Sequence, residues 1–140
     1  MKKALLTTIP SDSHGWNLIY MELLLKEQGY DVNNLGVCVP NDLVIDECEK
    51  NEPDLVVVST VNGHGYMEGK QLARSLAKQK QRLGFELCIG GKLNTDPTKL
   101  AKQVENLKSS GFDGVYAGPA AVVQFIEDIS INNFSRRVAG

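Results

Sequence analysis

The chain has 140 residues, of which 42% are hydrophobic and 23% are charged, and its formal net charge is −2. This length allows one domain with a hydrophobic core and is too short for two ordinary domains. The near-neutral charge gives no electrostatic basis for binding nucleic acid or an anionic membrane. No apolar run approaches the roughly 20 residues that are needed to span a bilayer. We therefore expect a globular protein without a nucleic-acid or membrane partner.

Apolar, strand-like stretches alternate with helical patterns along the whole chain. The predicted strands are Lys3–Ile9, Tyr30–Val37, Leu55–Val58, Phe85–Ile89 and Gly114–Tyr116. The predicted helices are Trp16–Gln28, Leu43–Asn51, Tyr66–Gln81, about Thr95–Ser110 and Ala120–Ile129. Residues 132–140 are predicted to be a loose tail, which leaves residues 1–131 as the domain.

Five strand–helix units predict an α/β fold. Right-handed crossovers favour a flavodoxin- or Rossmann-like, doubly wound, five-stranded parallel sheet of order 2-1-3-4-5 with helices on both faces. In this order the chain reverses direction between the first and third strands, and ligands bind in the crevice at such a reversal. The three most unusual loops of the chain follow the first, third and fourth strands. We therefore expect all three at the ligand-binding edge of the sheet.

The first of these loops contains Asp12 and His14. In an extended segment, the Asp12 carboxylate can accept a hydrogen bond from one imidazole nitrogen of His14 and leave the other facing outward. The outward nitrogen could serve as a metal ligand, a base or an acid, and the spacing does not choose among these. The alternative is a turn or capping aspartate beside a surface histidine.

The other two loops carry hydroxyl groups and glycines. Ser59 and Thr60, at the end of the third strand, would bind a ligand or cap the next element. Gly90 and Gly91 form either a plain turn or a place where a large group approaches the backbone. His64 is expected to be exposed, with at most an accessory role.

Several common site types are missing from the sequence. It contains no phosphate-binding loop, no dinucleotide-binding glycine motif and no nucleophile elbow. Cys38, Cys48 and Cys88 are scattered without a Cys-x-x-Cys pair, so neither a disulfide framework nor a thiolate metal site is predicted. We expect all three to be small packed side chains, in a protein of the reducing cytoplasm.

Together, these motifs resemble those of the cobalamin-binding domain family, which read Asp-x-His-x-x-Gly, Ser-x-Leu and Gly-Gly. The sequence is most similar to the small, cobalamin-binding subunits of glutamate (methylaspartate) mutases. Two positions depart from the pattern: Asn17 replaces the glycine after the histidine, and Val61 replaces the leucine. The resemblance extends over nearly the whole chain.

The resemblance implies a role for each motif. His14 would be the lower axial ligand of cobalt in place of the cofactor's own base, and Asp12 would hydrogen-bond its far nitrogen. Ser11, Ser13 and Gly15 would flank the entry of the nucleotide tail. One wall of the tail's crevice would consist of Ser59, Thr60 and Val61. The other wall would consist of Gly90, Gly91, Lys92, Leu93 and Asn94.

The resemblance also implies an activity. The chain would be the small subunit of an isomerase, an adenosylcobalamin-dependent carbon-skeleton mutase, and would be inactive alone. A larger, barrel-type subunit would bind the amino-acid substrate and complete a heterotetramer. The alternatives are a corrinoid carrier, a regulatory cobalamin-binding protein without mutase activity, and a flavodoxin-like module that binds flavin or a metal.

Overall fold

A computed structural model shows an open parallel β-sheet with helices on both faces. The structure describes residues 2–10, 16–60, 65–91, 97–116 and 121–131. The strands are β1 (Lys3–Thr7), β2 (Asp31–Asn34), β3 (Leu55–Thr60), β4 (Glu86–Gly91) and β5 (Gly114–Tyr116). The helices are α1 (Trp16–Glu27), α2 (Asn41–Asn51), α3 (Gly65–Ser75), α4 (Ala77–Leu83), α5 (Leu100–Ser110) and α6 (Ala121–Ile131), and a 3-10 turn at Pro97–Lys99 precedes α5.

The sheet has the order β2-β1-β3-β4-β5, and every neighbouring pair is parallel. The predicted fold class and strand order are therefore confirmed. All six residues of β3 are buried, as expected for the continuous β-branched run at the centre of a parallel sheet. This central strand also brings the ends of β1 and β4 to the same edge.

Two separate cores cover the two faces of the sheet. On one face, α2, α3, α4 and α5 pack against the strands, with Leu72, Leu76 and Leu107 fully buried among them. On the other face, α1 and α6 supply the cover, through side chains that include Leu25 and Phe125. Within the ranges that the structure describes, the second face has two helices where the first has four, and it is the face that contains the candidate site.

Two of the predicted strands are longer than the hydrogen-bonded strands of the structure. The ladder of β1 ends at Thr7, although Thr8 and Ile9 remain buried. The Thr8 hydroxyl donates to the carbonyl of Gly36 at 3.0 Å, so this side chain replaces a backbone rung of the ladder. The second strand of the structure ends earlier than predicted, at Asn34. Beyond it Leu35 N still donates to Leu6 O, whereas Gly36 N donates to the side-chain Oδ1 of Asn34.

The predicted third helix is divided in two. The backbone at Leu76 has φ −93° and ψ 0°, and its N–H donates to both Leu72 O and Ala73 O. This tightened turn keeps the Leu76 side chain in the core while the chain changes direction into α4.

The expectation for the cysteines is wrong at one position. Cys48 and Cys88 are buried, but Cys38 is exposed in the connection between β2 and α2 and has a positive φ of 51°. No helix in the described part of the chain is long and apolar enough to cross a membrane. The predicted tail, residues 132–140, lies outside the described residues.

Candidate functional site

The carboxyl ends of β3 and β4 lie side by side. Ser59 pairs in register with Gly90, and Thr60 pairs with Gly91. The structure therefore brings together the described parts of the second and third sequence motifs. Their proximity follows from the parallel sheet, because residues 31 positions apart in the chain end adjacent strands at one edge.

The alternation of side chains along β3 separates its two terminal hydroxyl residues. Val57 belongs to the core under α1 and α6, while Val58 belongs to the core on the opposite face. Successive strand residues point to opposite faces, so Ser59 follows Val57 and Thr60 follows Val58. Ser59 lines a cavity on the first of these faces, and Thr60 does not. The predicted wall of Ser59 and Thr60 is thus divided between the two faces.

This cavity lies above β3 and β4, between α1 and α6, and has a volume of about 170 Å³. It is one strand further along the sheet than the predicted reversal crevice between the first and third strands. Twelve residues line it: Met21, Val57, Val58, Ser59, Cys88, Ile89, Gly90, Gly91, Tyr116, Ala121, Val122 and Phe125. Most of these side chains are apolar, so the cavity is suited to a largely apolar, flat group with few polar atoms.

The two glycines leave room that no other residue would leave. A Cβ at Gly91 would lie 1.8 Å from the carbonyl oxygen of Thr60, and its φ of +114° is also unfavourable for an L side chain. A Cβ at Gly90 would lie 3.2 Å from the carbonyl oxygen of Tyr116. Gly90 is therefore part of the cavity wall, and Gly91 permits the close approach of β3 and β4 at the cavity's edge.

Cys88 contributes a neutral thiol to the wall of the cavity. Burial raises the pKa of the Cys88 thiol well above its ordinary value, and the carboxylates of Asp113, Glu86 and Asp128 raise it further. The thiol therefore stays protonated and neutral at physiological pH. The hydroxyl of Tyr116 donates to Oδ2 of Asp128 at 2.6 Å, which engages the phenol on the far side of the cavity.

Nine of the thirteen predicted site residues lie outside the described residues. They are Ser11, Asp12, Ser13, His14, Gly15, Val61, Lys92, Leu93 and Asn94. His64 lies outside them as well. Within the described ranges, no group of three or more histidine, cysteine or acidic side chains is arranged to hold a metal ion. The roles assigned to the nine residues remain predictions.

Sequence reasoning did not identify the helical side of the cavity. Met21 in α1 and Ala121, Val122 and Phe125 in α6 all line it. Such residues resemble ordinary core positions in the sequence, and only the gap between the two helices makes them part of a cavity. Tyr116 could have been identified as a site residue from the sequence, because it is the last residue of the predicted fifth strand. It lies on the same face of that strand as Gly114.

Comparison with known proteins identifies relatives over most of the chain. Residues 2–124 match the family described as the B12 binding domain. A glutamate mutase sigma subunit of Treponema denticola is 28% identical over 127 residues, which are 91% of each protein. The corresponding sigma subunit of Escherichia coli O157:H7 is 30% identical over 119 residues, covering 84% of this chain and 79% of that protein.

A solved structure shares the fold. A cobalamin-binding protein from Desulfitobacterium hafniense superposes with a TM-score of 0.69 at 20% sequence identity. The match covers 91% of this chain, which spans 58% of the other protein's length.

Proposed function

The chain belongs to the B12-binding domain family, and we propose that it is the cobalamin-binding subunit of an adenosylcobalamin-dependent mutase of the glutamate mutase kind. The observation that carries this proposal is the pairing of Ser59 with Gly90 at the wall of an apolar cavity. Both residues come from motifs of the family, and relatives that match most of the chain include glutamate mutase sigma subunits.

The cavity fits the nucleotide tail of the cofactor better than it fits the corrin ring. Its volume of about 170 Å³ and its largely apolar wall suit a flat aromatic base. The Ser59 side chain supplies a hydroxyl at the cavity's edge that can hydrogen-bond a ring nitrogen of this base. Gly90, which lacks a Cβ, allows the base to lie against the backbone of β4.

His14 would ligate the cobalt while the tail occupies the cavity. Asp12 would accept a hydrogen bond from the second imidazole nitrogen, which fixes the tautomer and raises the basicity of the ligating nitrogen. Ser11, Ser13 and Gly15 would flank the tail's entry. The remaining contacts would come from Val61, Lys92, Leu93 and Asn94.

Catalysis requires a second subunit in this proposal. When bound, adenosylcobalamin supplies a weak cobalt–carbon bond whose homolysis begins a radical rearrangement. This chain would bind and orient the cofactor, and a large barrel-type subunit would bind the amino-acid substrate over the corrin's upper face. The assembly would be a heterotetramer, and the small subunit alone would be inactive.

The visible spectrum of a cobalamin mixed with the purified protein tests this proposal. Wild-type protein should produce the spectral change that accompanies loss of the cofactor's own base from cobalt. His14→Ala should abolish this change, and His64→Ala, the substitution of the chain's other histidine, should retain it. A protein that binds cobalamin with its own base still on the metal would contradict the proposed ligand.

A second pair of variants tests the tail site. Ser59→Ala removes a hydroxyl that faces the cavity, and Thr60→Val removes the neighbouring hydroxyl, which faces the opposite core. Ser59→Ala should weaken cobalamin binding relative to binding of cobinamide, a corrinoid without the nucleotide tail. Thr60→Val should leave this ratio unchanged. An equal effect of the two substitutions on the ratio would argue against a tail in this cavity.

A further inference from the structure

The ring of Tyr116 is folded back along its own strand. A Cβ built on Gly114 would lie 2.8 Å from both Cε2 and the hydroxyl oxygen of Tyr116. The outer half of the phenol therefore covers the Cα of Gly114, two residues earlier in β5. Because residues two apart on a strand share a face, the ring lies on the cavity's side of the sheet.

The glycine at position 114 makes this ring position possible. Any side chain there would occupy the space that the outer half of the phenol fills, since contacts of 2.8 Å are closer than carbon atoms approach. Tyr116 is also among the residues that line the cavity. A phenol released from its folded-back position would therefore project into the cavity.

Two side chains of α6 hold the folded-back position. The Tyr116 hydroxyl donates to Oδ2 of Asp128 at 2.6 Å, which is within the range of O–H···O hydrogen bonds. Asp128 has no exposed surface, so water does not compete for this bond. The rings of Tyr116 and Phe125 pack edge to face, with 5.2 Å between their centroids and 70° between their planes.

We propose that Asp128 and Gly114 are positioning residues that hold the Tyr116 ring out of the cavity and so keep the cavity open for the cofactor's nucleotide tail. This proposal rests on the proposed function, because it assigns the cavity to the tail. Asp128 and Gly114 do not line the cavity, and they act through the ring. Substitution of either residue should weaken the binding of cobalamin, which has the nucleotide tail, and should spare the binding of cobinamide, which lacks it.

Tyr116→Phe is the first test, measured as dissociation constants for cobalamin and for cobinamide. The variant keeps the ring and removes the tether, so the ring can enter the cavity in a fraction of the molecules. If nine molecules in ten have a blocked cavity, apparent cobalamin affinity falls about tenfold. Cobinamide affinity should change by less than about twofold, since a ligand without a tail does not need the cavity. Tyr20→Phe, on the exposed side of α1, is the matched control.

Gly114→Ala and two Asp128 variants extend the test. The alanine Cβ displaces the phenol directly, so Gly114→Ala should reduce cobalamin affinity at least as much as Tyr116→Phe does. Asp128→Asn retains an acceptor oxygen for the phenol and should bind cobalamin nearly as wild type does. Asp128→Leu, which has no acceptor, should resemble Tyr116→Phe. Glu127→Gln on the exposed side of the same helix is its control.

The outcomes separate this inference from the proposed function. Wild-type protein that binds neither corrinoid would overturn the proposed function itself. Wild-type binding of both corrinoids, with cobalamin and cobinamide affinities lowered equally in Tyr116→Phe and Gly114→Ala, would show a merely structural role for the ring. Unchanged cobalamin affinity in either variant would also overturn the inference. If Tyr116→Phe does not fold, Gly114→Ala with its two ligands decides the question.

Discussion

Substitution of Gly91 by alanine should be among the most damaging single-methyl changes in the sheet. The added Cβ would lie 1.8 Å from the Thr60 carbonyl oxygen, which belongs to the neighbouring strand's backbone and cannot rotate away. The residue's φ of +114° adds a cost of about 1–3 kcal/mol for a residue with a Cβ. Forcing the two strands apart adds about 1–3 kcal/mol, as overpacking does in other cores.

The expected loss for Gly91→Ala is therefore roughly 3 kcal/mol or more in the free energy of unfolding. For a domain of this size, about 4 °C of Tm accompanies each kcal/mol, so Tm should fall by about 12 °C or more. Thermal unfolding followed by circular dichroism measures this change, and urea unfolding gives the free energy. Under the proposed function, corrinoid binding should also weaken, since Ser59 and Gly90 sit at the same strand ends.

Gly84→Ala is the matched control. Gly84 also has a positive φ, +74°, but a Cβ there would meet no atom within 4 Å. Its alanine variant should lose only the backbone cost of about 1–2 kcal/mol. The difference between the two variants isolates the close approach of β3 and β4. Equal losses in the two proteins would refute the argument that this approach makes Gly91 necessary.

Two further predictions concern titrating groups. In native protein, a thiol reagent should modify the exposed Cys38 and should spare the buried Cys48 and Cys88. Burial raises the pKa of the Cys48 thiol to about 12 and raises that of the Cys88 thiol well above its ordinary value. The pKa of the Glu22 carboxyl is lowered, chiefly by its hydrogen bond from Lys26, so its contribution to stability is present at neutral pH and is lost as the pH falls below about 4.5. Glu22→Gln should reduce the acid sensitivity of urea unfolding by a fraction of 1 kcal/mol.

Each of these predictions has a direct control. Cys38→Ser should show almost no labelling until denaturant is added, and labelling of a second thiol in native protein would contradict the burial argument. Glu27→Gln, which removes an exposed carboxyl from the same helix, is the control for Glu22→Gln. An identical effect of the two glutamate substitutions would show that the Lys26 hydrogen bond contributes nothing specific.

The sheet could be predicted from the sequence because its signals are local. The apolar, valine-rich run at Leu55–Val58 predicted the central strand, and alternation with helical patterns predicted the parallel order. The strand ends were less predictable, because the Thr8 side chain completes a bond that a backbone rung would otherwise make. The division of the third helix at Leu76 has no breaker residue in the sequence to indicate it.

The site was predictable only to the extent that motifs mark strand ends. The pairing of Ser59 with Gly90 follows from the strand order and from nothing more. Thr60 was predicted on the same wall as Ser59, but it is the next residue of β3 and does not line the cavity, since successive strand residues point to opposite faces. Tyr116 and Asp128, twelve residues apart, are joined by a hydrogen bond that no short motif could indicate.

The position of the cavity follows from the unequal cover of the sheet. Among the described residues, four helices cover one face, and α1 and α6 cover the other. The gap between α1 and α6 falls above β3 and β4, where Ser59 has a small side chain and Gly90 has none. A flat apolar group in this gap would bury surface on the sheet and on both helices, so it would complete the second core. Binding would therefore also stabilise the fold, and its strength should appear as a ligand-dependent rise in Tm.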